Sequence, residues 1–215
     1  INKVEKDTNI ITVYFPKIPV KEVQQNGKDV NGRNDGKKGT PTAPLNAGSE
    51  VQYLVTQKWH TKGVDAASDH YKQFSIQDPI EARLTYNDGS AQVIDKSTGK
   101  DITSEGTLTY DSNSRTLKWE ASADFLNNNL LDGREIQLIF TAKTPLQSEK
   151  NIDNQAVVAV DNVSNKTNVV TIGVDPNLPQ VIVPKTGSTH LVTILAVSLL
   201  LLVLATFGYA VLKFN

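Results

Sequence analysis

Apolar side chains recur at every second position through most of this chain, in short runs cut by turn residues. That alternation excludes a helical body, because period two places successive side chains on opposite faces of an extended strand. Val51, Tyr53 and Val55, with Trp59 beyond them, mark one such face. Phe74, Ile76, Ile80, Ala82, Leu84 and Tyr86 read as another, closed by Asn87-Asp88-Gly89. Leu108 and Tyr110 answer Leu117, Trp119 and Ala121 across a turn at 111–115. Ile136, Leu138, Phe140 and Ala142 follow Asp132-Gly133; Ile152, Ala156, Val158 and Val160 form a further run; Val170, Ile172 and Val174 end the series. Only 122–130 suggests a helical turn. Many short strands at this spacing predict an all-β, immunoglobulin-like antiparallel β-sandwich. The Asn-, Gly-, Lys- and Pro-rich segment 25–48 reads as a long loop, and 175–186 as an extended spacer.

One block breaks the pattern. Residues 191–212 carry no charge, and about 22 residues at about 1.5 Å each span a bilayer core of roughly 30 Å. The expectation is a C-terminal transmembrane helix within 188–215, with Lys213 holding the C-terminus on the cytoplasmic side. Apolar residues are concentrated there, and the remainder is a polar body of one-domain size. Lys and Arg number 22 against 23 Asp and Glu, a balance that argues against nucleic acid as main partner. The absence of Cys excludes disulfides, thiol catalysis and cysteine zinc sites. The absence of Met leaves no initiator, so Ile1 is expected to follow a removed signal peptide or a longer upstream chain.

Val183-Pro184-Lys185-Thr186-Gly187, followed by the apolar span and a basic end, resembles the Gram-positive cell-wall sorting signal LPXTG. The chain departs from that pattern at Val183, where Leu is the rule, which leaves the sortase class open. The resemblance implies that a sortase cleaves between Thr186 and Gly187 and joins the Thr186 carbonyl to peptidoglycan. The membrane span is then a transient precursor feature, and the mature protein is secreted and wall-bound. A permanent single-pass anchor is the plainer alternative.

Thr8-Asn9-Ile10-Ile11-Thr12-Val13 echoes Thr167-Asn168-Val169-Val170-Thr171-Ile172. If the second copy is a domain's last strand, the first is expected to close a preceding domain. The expected organisation is a last strand and linker over 1–16, a sandwich domain over 17–175, a spacer and sorting motif over 176–187, and the membrane segment over 188–215.

Three polar residues fall in phase with apolar faces. Asp78 shares the face of Phe74, Ile76 and Ile80; Asn154 that of Ile152, Ala156 and Val158; Lys21 that of Val23. Buried charges are costly unless paired or neutralised. Each has a plain explanation: a turn at Asp78-Pro79, a strand start at Asn154, a snorkelling Lys21. Together, Lys21-Glu22-Val23 with Asn26-Gly27-Lys28-Asp29-Val30-Asn31-Gly32, Phe74-Ser75-Ile76-Gln77-Asp78, Phe140-Thr141-Ala142-Lys143 and Ile152-Asp153-Asn154-Gln155-Ala156-Val157 resemble the intramolecular isopeptide domains of Gram-positive adhesins and fimbrial proteins. The likeness, over roughly 17–175, is to the C-terminal domains of antigen I/II-type adhesins and to pilin middle domains.

The resemblance implies a self-crosslink. Desolvation lowers the pKa of a buried lysine and leaves a nucleophilic amine. A buried, protonated Asp78 can hydrogen-bond and polarise the Asn154 carbonyl. Attack of Lys21 on Asn154, with Asp78 moving the proton, expels ammonia. That is one turnover within the chain and not enzymatic catalysis, and it needs no cofactor. Glu120 and Asn168 are rival acid and amide; Glu120 is out of phase with its strand, and Asn168 is in phase with Val170, so the choice between Asn154 and Asn168 stays open.

Val13-Tyr14-Phe15-Pro16-Lys17 loosely resembles the pilin motif whose lysine links shaft subunits, although an interdomain linker explains it as well. His60, His70 and His190 show no metal spacing, Asn31–Gly36 lacks the closing Glu of a calcium loop, and the sequons at Asn162 and Asn165 are expected by chance. The reading is the wall-proximal stalk of a sortase-anchored adhesin, with any host or bacterial surface ligand bound by upstream domains. The alternatives are a pilus subunit linked through Lys17 and the stalk of a wall-bound enzyme.

Overall fold

The computed structural model describes residues 17–32, 44–59, 71–131 and 133–178, all within one compact unit, Ile1–Leu178. The sorting motif, the apolar tail, the 8–13 echo and all three histidines lie outside the described residues. Among the described residues no helix is long and apolar enough to cross a membrane.

The chain runs through β1 (Val20–Gln25), β2 (Lys28–Asp29), β3 (Leu45–Asn46), β4 (Glu50–Lys58), β5 (Phe74–Pro79), β6 (Thr85–Tyr86), β7 (Gln92–Asp95) and β8 (Lys100–Asp101). It continues through β9 (Gly106–Asp111), β10 (Thr116–Ala121), a short helix α1 (Ala123–Asn128), β11 (Glu135–Lys143), β12 (Glu149–Asn154), β13 (Val157–Val160), β14 (Val163–Lys166) and β15 (Val170–Asp175). The first sheet has the order β2-β1-β4-β11-β7-β8, with β6 also on β11; the second is β14-β13-β5-β10-β9; a small third is β12-β15-β3. Pairings are antiparallel except β15 with β3. The architecture is an all-β sandwich whose interior is filled by the inward residues of the two larger sheets, joined by Ile152, Val170, Ile172 and Val174 of the small one.

Local chemistry explains the turns. Asn26 and Gly27, at φ 52° and 73°, form the two-residue loop between β1 and β2, the left-handed pair that matches strand twist. Ser122 caps α1 by accepting from the Phe125 N–H at 3.0 Å. Trp119 anchors the second sheet: its ring meets Phe74 edge-on at 5.7 Å, and its Nε1 donates to Thr103 O at 3.0 Å. Gly106 crosses beneath that ring so closely that a Cβ would sit 2.4 Å from Glu120 O and 2.7 Å from the indole.

Three expected runs are cut differently. The run 74–86 is two strands, because Pro79 ends β5 and Leu84 N–H closes a turn onto Glu81 O. Ala82 is therefore exposed, and β6 joins the opposite sheet. The run 152–160 also splits: β12 pairs β15 in the small sheet, and β13 pairs β5 in the second. The segment 25–48 carries β2 and β3 near its ends, with 33–43 outside the described residues. In β4, Leu54 and Thr56 are buried as well as Tyr53 and Val55, because neighbours on β1 and β11 flank the strand on both sides.

Candidate functional site

Each sheet contributes one unusual residue to the interior. In β1 the alternation that buries Val23 also buries Lys21, which is 1% exposed. In β5 the face of Phe74 and Ile76 continues to Asp78, which is fully buried at the strand end. In β12 the face of Ile152 continues to Asn154, 3% exposed, the last residue before the chain leaves the small sheet for the second.

Lys21 Nζ donates to Asp78 Oδ2, an ion pair that crosses the sandwich. The same nitrogen lies 5.0 Å from the centroid of the Tyr53 ring and 5.8 Å from that of Phe140. These two rings stack on each other at 5.3 Å and wall the amine off from water. Desolvation pushes the Lys21 amine below its ordinary range, and the charge and hydrogen bond of Asp78 only partly oppose it. Burial, and after it the charges of Asp78 and Glu81, push the Tyr53 phenol up.

The site is under-satisfied. Asp78 Oδ1, the Tyr53 hydroxyl and both polar atoms of the Asn154 carboxamide are buried without a hydrogen-bond partner. Buried polar groups are nearly always paired, because each unpaired one costs about 1–3 kcal/mol. The Asn154 carboxamide thus has neither its donor nor its acceptor engaged.

Asn154 is held by its neighbours. It stands opposite Val170 in the β12–β15 ladder. Thr167 N–H donates to Ala156 O at 3.0 Å, Ala156 N–H donates to Thr167 Oγ1 at 3.1 Å, and Gln155 Nε2 donates to Thr167 O at 2.6 Å. Asn168 bonds the backbone of Lys21 itself: its Oδ1 accepts from Lys21 N–H at 2.8 Å and its Nδ2 donates to Lys21 O at 2.9 Å. Thus 167–170 ties β1 to the segment that carries Asn154.

Glu120, the rival acid, is half-buried and paired with Lys118 at 2.6 Å, away from Lys21. Lys17 is exposed, with its backbone pinned to the end of β4 by Gln57 Nε2 at 2.8 Å. Among the described residues no cluster of His, Cys, Asp or Glu could hold a metal ion. Tyr53 was legible in the sequence only as a core residue, and Phe140 as core and as part of Phe140-Thr141-Ala142-Lys143; their role as walls of the amine depends on the pairing of β1, β4 and β11.

The model of the cell surface antigen I/II C2 terminal domain matches residues 19–173. Among solved structures, the chain is similar to the C-terminal domain of the Streptococcus pyogenes antigen I/II-family protein AspA, at 16% identity and a TM-score of 0.58, over 73% of this chain and 46% of that one. It is similar to the C-terminal domain of the Streptococcus agalactiae AgI/II polypeptide BspA, at 15% identity and a TM-score of 0.57, over 72% and 49%. It is also similar to BcpA, the major pilin subunit of Bacillus cereus, at 17% identity and a TM-score of 0.54, over 74% and 40%. The chain thus spans about half or less of the length of these structures, and at such identities they show a shared fold. No curated protein sequence matches the chain.

Proposed function

The chain belongs to the cell surface antigen I/II C2 terminal domain family, and from that premise we propose that it is the wall-proximal stalk of a surface adhesin, hardened by a Lys21–Asn154 isopeptide bond. The observations that carry this reading are the buried Lys21–Asp78 pair and a buried Asn154 carboxamide whose two polar atoms have no partner.

The neutral Lys21 amine attacks Asn154 Cγ, forming the C–N bond. Asp78 takes the proton that the amine loses and delivers it to Asn154 Nδ2 as the Cγ–Nδ2 bond breaks. Ammonia leaves, a secondary amide remains, and Asp78 ends as it began. Burial supports the first step by favouring the neutral amine, and the aromatic walls exclude the water that would compete. The product joins β1 to β12, strands from two sheets, much as a disulfide would in a chain with no cysteine.

By the same reading the protein is displayed at the surface of a Gram-positive cell, joined to peptidoglycan through Thr186 by a sortase after a membrane-held precursor stage. Any host or bacterial surface ligand is bound outside the stalk, and the stalk itself has no enzymatic activity. A pilus subunit ranks second, favoured by the fold shared with BcpA and the exposed Lys17.

Intact mass tests the cross-link. The purified chain should weigh one ammonia less than its sequence, and a proteolytic map should find Lys21 and Asn154 in one branched fragment. Asp78→Ala should restore the full mass. A wild-type chain at its full sequence mass refutes the proposal.

A further inference from the structure

The Asn168 carboxamide lies beside β1, in the plane of its sheet. Lys21 stands opposite Val55 in the antiparallel β1–β4 ladder, yet its N–H and C=O both go to Asn168, at 2.8 and 2.9 Å. Both groups therefore point away from β4. Lys21–Val55 is a non-hydrogen-bonded pair, and the outer edge of β1 presents one donor and one acceptor at this residue. Among the described pairings no strand takes them, since β2 reaches β1 only at Gln24 and Gln25. A primary carboxamide offers an acceptor and a donor side by side, so Asn168 replaces one residue of a missing strand.

The clamp grips the backbone of the lysine that carries the amine, and it does so from a fixed base. Thr167 Oγ1 donates to Asn168 O at 2.7 Å and accepts from Ala156 N–H at 3.1 Å, and Val170 stands opposite Asn154. The four residues 167–170 thereby hold the Asn154 segment through Thr167 and Val170, and the Lys21 backbone through Asn168 between them. The same geometry sets Asn168 apart from the reacting atoms. Its carboxamide lies in the sheet plane, where backbone groups point, whereas the Lys21 side chain leaves that plane for the interior and Asp78.

We infer that Asn168 is a positioning residue for the cross-link: its carboxamide clamps the Lys21 backbone so that Nζ is aimed at Asn154 Cγ, and it is not consumed. This rests on the Lys21–Asp78–Asn154 reading above. Reaction between groups held in place depends steeply on alignment, and a displacement of about 1 Å can cost on the order of a hundredfold in rate. Loss of the clamp frees the strand edge at the one residue whose placement sets that rate.

The test follows cross-linking from synthesis. The full 215-residue chain, preceded by an added initiator Met, is made by cell-free translation, quenched in acid at intervals, and weighed for the loss of one ammonia. Asn168→Ala is expected to lose ammonia about ten- to a hundredfold more slowly than wild type, with the branch still joining Lys21 and Asn154. Val93→Ala, a truncation in the core at β7 away from the clamp, serves as the stability control and is expected to keep the wild-type rate. Asn168→Asp keeps the acceptor for Lys21 N–H but loses the donor to Lys21 O, and its rate is expected to fall between wild type and Asn168→Ala. If Asn168→Ala fails to fold, as read by protease resistance, Asn168→Asp carries the comparison alone. The inference is overturned by Asn168→Ala reacting at the wild-type rate, by Val93→Ala slowing as much, or by Asn168 appearing in the branched fragment. A wild-type chain that never loses ammonia overturns the underlying reading; wild-type loss with an unaltered Asn168→Ala rate removes only the positioning role.

Discussion

Asn154→Ala and Asp78→Ala remove the same proposed covalent bond, and the structure predicts that they are unequally damaging. A link from Lys21 to Asn154 closes a loop of well over a hundred residues, which the chain-entropy model values at about 5 kcal/mol. Asn154→Ala loses that and little more, because the carboxamide holds no hydrogen bonds and the Lys21–Asp78 pair survives. Asp78→Ala loses the bond and also strands a fully buried amine, a further cost of about 3–5 kcal/mol for a broken buried pair. The Tyr53 and Phe140 faces, 5.0 and 5.8 Å from that nitrogen, offset on the order of 1 kcal/mol of it. Asp78→Ala should therefore fall about 2–4 kcal/mol below Asn154→Ala, a large share of the roughly 5–15 kcal/mol that holds a typical domain together. Adding Lys21→Met to Asp78→Ala removes the stranded amine and should recover most of that gap. Guanidinium unfolding of the three variants measures the differences, with intact mass confirming that each is unlinked. Equal midpoints for Asn154→Ala and Asp78→Ala would refute the reasoning, as would a double variant no more stable than Asp78→Ala.

Further outcomes follow from other parts of the molecule. In Asn154→Ala, Lys21 keeps a native pKa lowered by desolvation while the unfolded value stays near 10.5. The unfolded chain then binds the extra proton between those two values, so stability should rise with pH through that window and stay flat below it; urea unfolding across pH 7–10.5 that shows stability falling contradicts the burial argument. Gly106→Ala places a Cβ 2.4 Å from Glu120 O, a backbone atom that cannot swing aside, and should cost about 1–3 kcal/mol in thermal unfolding. A change within about 0.5 kcal/mol, ordinary for a surface site, would mean that β9 is not held beneath Trp119. Thr186→Ala should leave the protein membrane-held in a Gram-positive host, and covalent recovery of that variant with peptidoglycan fragments would exclude the sorting-signal proposal.

How much of this could be read before folding depends on the range of the physics involved. Alternation is local, so the strands at 50–58, 106–111, 116–121 and 135–143 and the turn-like helix at 123–128 are legible from side-chain phase alone. Strands with little apolar content are not. β14 carries Val163-Ser164-Asn165-Lys166 along an edge, and β7 has only four residues around Val93, so neither shows a period strong enough to read. The break at Pro79 was visible as a proline, but where the chain went next depended on the pairing of β6 with β11.

The site divides in the same way. Phase along single strands places Lys21, Asp78 and Asn154 each on an apolar face, because period two is a property of the strand itself. Phase carries no information about which faces meet. The three residues sit on three different sheets, and their neighbourhood depends on the β1–β4, β5–β13 and β12–β15 registers, each set by contacts between segments far apart in the chain. Asn168 shows the limit most clearly. In sequence it was an amide in phase with Val170 and equal in kind to Asn154; in the fold its carboxamide is taken by the Lys21 backbone, while that of Asn154 is taken by nothing. Two chemically identical side chains are told apart only by what surrounds them, and long-range pairing alone determines those surroundings.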